Sequence, residues 1–177
     1  MRKRETLEVL RHSRHDWLNR LQLIKANLSL GRFERVNNLI DEIVLEANHE
    51  SSLTNLQAPA FAESLITYHW EPRLFSMEYE VIGHPVVLSK KDNILFEWIT
   101  SFFSRLEQSV DKKNDNHVFL SLHMEEWEVR FFFDINGILE KTSYIKEWLE
   151  NQPAGFTVNQ AEVGKEESTI QVSLQLP

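Results

Sequence analysis

The 177-residue chain has no cysteine and only five glycines, none of them clustered. Without cysteine there can be no disulfide, no thiolate metal site and no thiol nucleophile. A chain that does without thiols suits a reducing compartment, and the expected location is the cytoplasm. Scattered glycines leave no glycine-rich loop to cradle a phosphate. No apolar run approaches the ~18 residues of a membrane span. The start, Met1-Arg2-Lys3-Arg4-Glu5, leads into no apolar stretch of signal-peptide length. No membrane association is expected.

What the chain does have is 42% hydrophobic and 11% aromatic residues, enough for a real core. Its net charge of −8 is unevenly spread. Residues 1–35 hold nine Lys/Arg against four acids, whereas residues 36–177 hold ten Lys/Arg against 23 acids. The basic first segment favours an acidic partner. The acidic remainder argues against nucleic acid.

Leu7, Leu10, Trp17, Leu21, Ile24 and Leu28 recur in steps of three, four and seven, the pattern of a long helix. Arg14 interrupts this seam, Leu18 broadens it, and Gly31 is placed to end the helix. A second stripe, Phe33, Val36, Leu39, Ile40, Ile43, Val44 and Ala47, runs on toward Leu56. Two such helices joined by a few residues predict an antiparallel hairpin. A hairpin cannot enclose both its apolar stripes, so a homodimer closing a four-helix bundle through residues 5–56 is expected. Packing of the hairpin on its own C-terminal domain is the alternative.

Composition changes at Gln57-Ala58-Pro59, with Pro59 suited to the first turn of a new helix. Alternating segments at 78–83, 117–125, 127–135, 157–163 and 169–176 predict strands, and 89–110 and 144–149 predict helices. Ser89, three residues before Asp92, resembles a helix N-cap. The fold class is α+β, with a helical hairpin domain over 1–57 and a mainly antiparallel α/β sandwich over 58–177.

Chemistry concentrates in His12-Ser13-Arg14-His15-Asp16-Trp17-Leu18-Asn19. At 3.6 residues per turn, His15 lies about 200° round the helix from Trp17 and so points away from the seam. Arg11, Asn19 and Gln22 share its face. A neutral imidazole nitrogen is an effective phosphoryl acceptor near neutral pH. Arg11 or Arg14 could compensate the charge of a transferring phosphoryl group, and Asp16 could hold the ring. The residues alone leave other readings open: a histidine without a role, or a metal pair of His12 and His15 that lacks an evident third ligand.

The run from His12 to Trp17, continuing through Leu28-Ser29-Leu30-Gly31-Arg32-Phe33 and His49-Glu50-Ser51, resembles the sporulation initiation phosphotransferase B family. That family is related to two-component histidine kinases. The resemblance implies a phosphoryl group carried on His15, passed from the aspartyl phosphate of one response regulator to a second. It also implies that the C-terminal domain is a kinase ATP-binding fold without its nucleotide motifs. Where kinases place two asparagines this chain has Ser101 and Arg105, and the glycine-rich Asp motif is reduced to Asp134-Ile135-Asn136-Gly137. The expectation is therefore no cofactor of its own, with Mg²⁺ supplied by the regulator. Two further possibilities are a divergent ATP-dependent sensor kinase and a non-catalytic dimeric adaptor that sequesters a regulator.

Overall fold

The computed structural model describes residues 6–84 and 86–176; the charged start from Met1 to Glu5 lies outside them. Among the described residues the order is α1 (Thr6–Ser29), α2 (Phe33–Thr54), α3 (Pro59–Ile66), β1 (Ser76–Gly83), α4 (Asp92–Ser109), β2 (His117–Met124), β3 (Glu128–Asn136), α5 (Ser143–Glu150), β4 (Phe156–Val163) and β5 (Glu167–Gln175). The chain divides into two compact units between Asn48 and His49. No described helix is long and apolar enough to cross a membrane.

In the first unit, α1 ends where its sequence says it should. Gly31 adopts φ 67°, a left-handed conformation that costs other residues a Cβ clash. Around it the Arg32 amide donates to the Asn27 carbonyl at 3.0 Å and the Gly31 amide to Leu28 at 3.0 Å. These paired bonds satisfy carbonyls that the helix end leaves orphaned, and they reverse the chain into α2. An ion pair between Arg20 and Glu46 links the two helices. Val36 and Leu39 are buried, as is Asn27, whose side-chain amide donates to the Leu23 carbonyl at 2.9 Å. Most of the remaining apolar stripe is bare: Leu7, Leu10, Trp17, Leu21 and Leu28 on α1 and Phe33, Ile40 and Val44 on α2 are exposed, with Ile24 and Ile43 half-buried.

The second unit is built on a five-stranded sheet in the order β1-β2-β3-β5-β4. Three of its pairings are antiparallel, but β1 and β2 run parallel from Ser76↔His117 to Gly83↔Met124. A parallel pair needs a crossover, and α4 supplies it. Alternate residues of the strands, including Leu120, Leu122, Phe131, Phe133, Ile170 and Val172, point into one core. From α4 and α5 come Trp98, Phe102 and Trp148, with Phe102 and Phe133 ring centroids 4.3 Å apart. Leu53 and Leu56, at the end of α2 and just past it, are fully buried in this same core.

Ser89 does not serve as the cap expected of it. Ser89–Lys91 form a short 3-10 turn, and the N-cap position of α4 falls to Lys91, which makes no side-chain cap bond. The Asp92 carboxylate instead accepts the amides of Ala60 at 3.1 Å and Phe61 at 2.9 Å. The reason lies in α3: Ala58 at its N-cap has no side-chain acceptor, so its first-turn amides take one from α4.

Both sheet edges carry an irregularity. On β4 the register against β5 shifts between Val158 and Gln160, leaving Asn159 as an extra residue. On β1 the Val81 amide, directed off the sheet, donates to His49 Nδ1 at 3.1 Å.

Candidate functional site

Helix α1 presents His15 to solvent, its side chain 71% exposed. Nδ1 of the ring lies 3.3 Å from Asp16 Oδ1 and 3.2 Å from Asn19 Nδ2. These contacts are alternatives. When Nδ1 carries a proton it donates to Asp16; when it does not, it accepts from Asn19. In either case Nε2 has no hydrogen-bond partner among the described residues. The tautomer favoured by Asp16 leaves the Nε2 lone pair facing water, the form that can attack an electrophilic phosphorus.

The other expected groups are placed less specifically. Arg11 and Arg14 are exposed, and neither forms an ion pair among the described residues. Arg11 lies one turn before His15, whereas Arg14, its sequence neighbour, projects about 100° away round the helix. Gln22 is exposed and His12 is half-buried. No group of three or more His, Asp or Glu able to hold a metal occurs among the described residues.

In the sheet unit the positions of the expected nucleotide motifs hold Ser101, Arg105, Asp134 and Gly137. Ser101 on α4 is exposed, and Arg105 pairs with Glu147 at 3.7 Å. Asp134 is exposed and accepts from Asn136 Nδ2 at 3.0 Å. Gly137, at φ 149°, is pressed against Asn116: a Cβ there would stand 2.4 Å from Asn116 Oδ1.

Sequence reasoning missed Asn116 altogether. Its side chain is 4% exposed and fully used. Nδ2 donates to the carbonyls of Leu74 (3.1 Å), Asp111 (2.8 Å) and Asn114 (3.0 Å), and Oδ1 accepts the Ile138 amide at 3.0 Å. Gly137 and Leu139 are tied in turn to Glu166 and Lys165 by backbone bonds of 2.9 and 2.7 Å. The space over Gly137 is thus occupied by protein. The connection from β3 to α5 is the short, pinned segment 137–142. A lone asparagine after a run of polar residues gives no sequence signal for such a role.

A helical hairpin whose basic first helix carries an exposed, oriented histidine, followed in sequence by an α/β sandwich, is the plan of the sensor-kinase class. Residues 1–56 match the family model described as the alpha-helical domain of the Spo0B-type sensor kinase. Residues 57–175 match the model for the C-terminal part of sporulation initiation phosphotransferase B. The chain is also 34% identical over 172 residues to sporulation initiation phosphotransferase B of Bacillus subtilis (strain 168), covering 96% of this chain and 90% of that protein. It belongs to the sporulation initiation phosphotransferase B family. Solved structures similar to it include the catalytic domain of the histidine kinase ThkA, at TM-score 0.44 and 8% identity over 70% of this chain and 92% of that one. The histidine kinase AdeS of Acinetobacter baumannii matches at TM-score 0.44 and 8% identity over 91% of this chain and 97% of that one.

Proposed function

We propose that this chain is a phosphorelay phosphotransferase of sporulation initiation, working in the cytoplasm as a homodimer with two response regulators. The observation that carries the reading is His15, exposed on α1 with Asp16 and Asn19 at its Nδ1, inside the segment matching the family's helical domain.

The reaction has two reversible halves. An acidic receiver domain docks on the basic first helix, and its aspartyl phosphate meets the Nε2 lone pair in line. The N–P bond forms as the P–O bond to the aspartyl carboxylate breaks, and that carboxylate leaves unprotonated. Asp16, accepting the Nδ1 proton, stabilises the positive charge that develops on the ring. Arg11, one turn away, is placed to offset the charge on the equatorial phosphoryl oxygens. Mg²⁺ enters with the receiver, whose carboxylates hold it. A second receiver then takes the phosphoryl group from Nε2. The apolar stripes of α1 and α2, exposed in the single chain, support the dimer, since a second hairpin would cover them.

The test is mass spectrometry under conditions that preserve phosphohistidine, after mixing with a phosphorylated regulator. His15→Gln should keep the fold and abolish transfer, and His12→Gln should keep the phosphohistidine intermediate. Normal relay through the His15→Gln protein would overturn the assignment. Labelling from Mg–ATP would identify a sensor kinase, and regulator binding without any transfer an adaptor.

A further inference from the structure

Residues 58–177 carry ten Lys/Arg against nineteen Asp/Glu, so this part of the chain repels anions as a whole. Its three arginines are all engaged: Arg73 with Glu71 and Glu107, Arg105 with Glu147, Arg130 with Glu125 and Glu128. Its lysines form no ion pair among the described residues. Three of them, Lys112, Lys113 and Lys141, line one cleft of about 530 Å³, at the end of α4 beside the loop to β2 and the start of α5.

The acids of this cleft are largely committed elsewhere. Glu107 is held by Arg73 at 3.4 Å. Asp111 Oδ1 accepts the Lys113 amide at 3.1 Å, and Oδ2 accepts from Asn114 Nδ2. Glu140 alone of the lining acids has no such partner among the described residues. Leu74 and Val110 give the cleft an apolar floor. Tyr144 forms a wall, with Lys141 Nζ 5.8 Å from its ring.

We infer that this cleft binds a small, multiply charged anion, of the polyphosphate or tricarboxylate kind, through Lys112, Lys113 and Lys141. The volume falls within the usual range for small-molecule sites. The cleft meets a ligand with three ammonium groups while two of its three carboxylates, Glu107 and Asp111, are engaged, so the anion is met by lysine directly rather than through a divalent cation. This is separate from the phosphorelay reading, since none of these residues takes part in His15 chemistry.

Calorimetry on the full chain, with tripolyphosphate and with citrate, each in EDTA, tests the inference. Saturable binding of at least one anion is expected. Lys112→Gln with Lys113→Gln, and separately Lys141→Gln, should weaken it about tenfold or more, the loss of one to two charge-assisted contacts. Lys90→Gln with Lys91→Gln removes the same charge outside the cleft and should change affinity less than about twofold, because exposed charges beyond a Debye length are screened. Tripolyphosphate alone binding would assign the site to phosphate compounds, and citrate binding as well would assign it to polyanions in general. No saturable heat, or an equal loss in the Lys90/Lys91 control, would overturn the site.

Discussion

Replacing Asn116 by alanine tests how firmly the sheet unit's loops are tied. The substitution removes contacts to Leu74, Asp111, Asn114 and Ile138. Nδ2 has two hydrogens for three carbonyls, so the set counts as three full bonds, and at about 1 kcal/mol net for each the loss is ~3 kcal/mol. Water can reach part of the exposed loop 111–115 and recover some of this, so about 2 kcal/mol is expected, much of it from the stranded Ile138 amide. For a chain of this length that corresponds to a fall of roughly 4–8 °C in the melting temperature of the sheet unit. Thermal and urea unfolding, followed by near-UV signals from the tryptophan-rich core, would read it. Asn116→Asp keeps the Oδ1 acceptor but turns a buried carboxylate toward three carbonyls. It should be at least as damaging at pH 7 and partly recover as the carboxyl protonates in acid. Gly137→Ala should cost less in the Asn116→Ala background than in the native protein, because the nearest atom it strikes, Oδ1 at 2.4 Å, is gone while the Cα and Cβ at 2.9 Å stay. A loss below about 1 kcal/mol for Asn116→Ala, or strict additivity with Gly137→Ala, would refute the argument.

Leu21 is 55% exposed in the single chain, so Leu21→Asp should leave the hairpin folded and shift sedimentation from dimer toward monomer; a native protein already monomeric at micromolar concentration would remove the bundle. Calorimetry with Mg–ATP should show no micromolar affinity, since Asn116 fills the space over Gly137 and Arg105 is paired with Glu147. The buried Tyr68 hydroxyl has no hydrogen-bond partner among the described residues, and burial first, then Glu107, pushes its pKa up from the ordinary 10.0. Tyr68→Phe should therefore hold or raise stability by up to about 1 kcal/mol at neutral pH. In the native protein stability should be intact below about pH 10 and fall by up to about 1.4 kcal/mol per unit above it, because the unfolded phenol ionises first; the Phe variant should lose that slope in alkaline denaturation curves.

The helices were legible because their signals are local. Gly31 marks the turn, and Pro59 opens α3. Strand positions followed from alternation, but alternation does not say which way neighbours run. The parallel β1–β2 pair went unread even though α4 lies between the two strands in sequence, which is the cue for a crossover. Ser89 was misassigned as a cap because Asp92, its supposed companion, is bound to Ala60 and Phe61, more than thirty residues away. In the candidate site, the side of the helix that bears His15 followed from helical geometry. The sharing of Nδ1 between Asp16 and Asn19 depends on side-chain rotamers that sequence spacing does not set.

The treatment of the two outer strands bears on how copies of this protein meet in a crowded cell. An unmodified outer strand offers a row of amides and carbonyls that another chain can extend, the first step toward fibres. Here the extra Asn159 breaks the repeat on one side, and His49 occupies an outward amide on the other. Neither border offers an uninterrupted template for stacking molecule upon molecule. The bare apolar helices of the hairpin face no such obstruction. In the proposed homodimer, the exposed apolar surface of the hairpin is thereby steered toward a closed, countable assembly rather than an open-ended one.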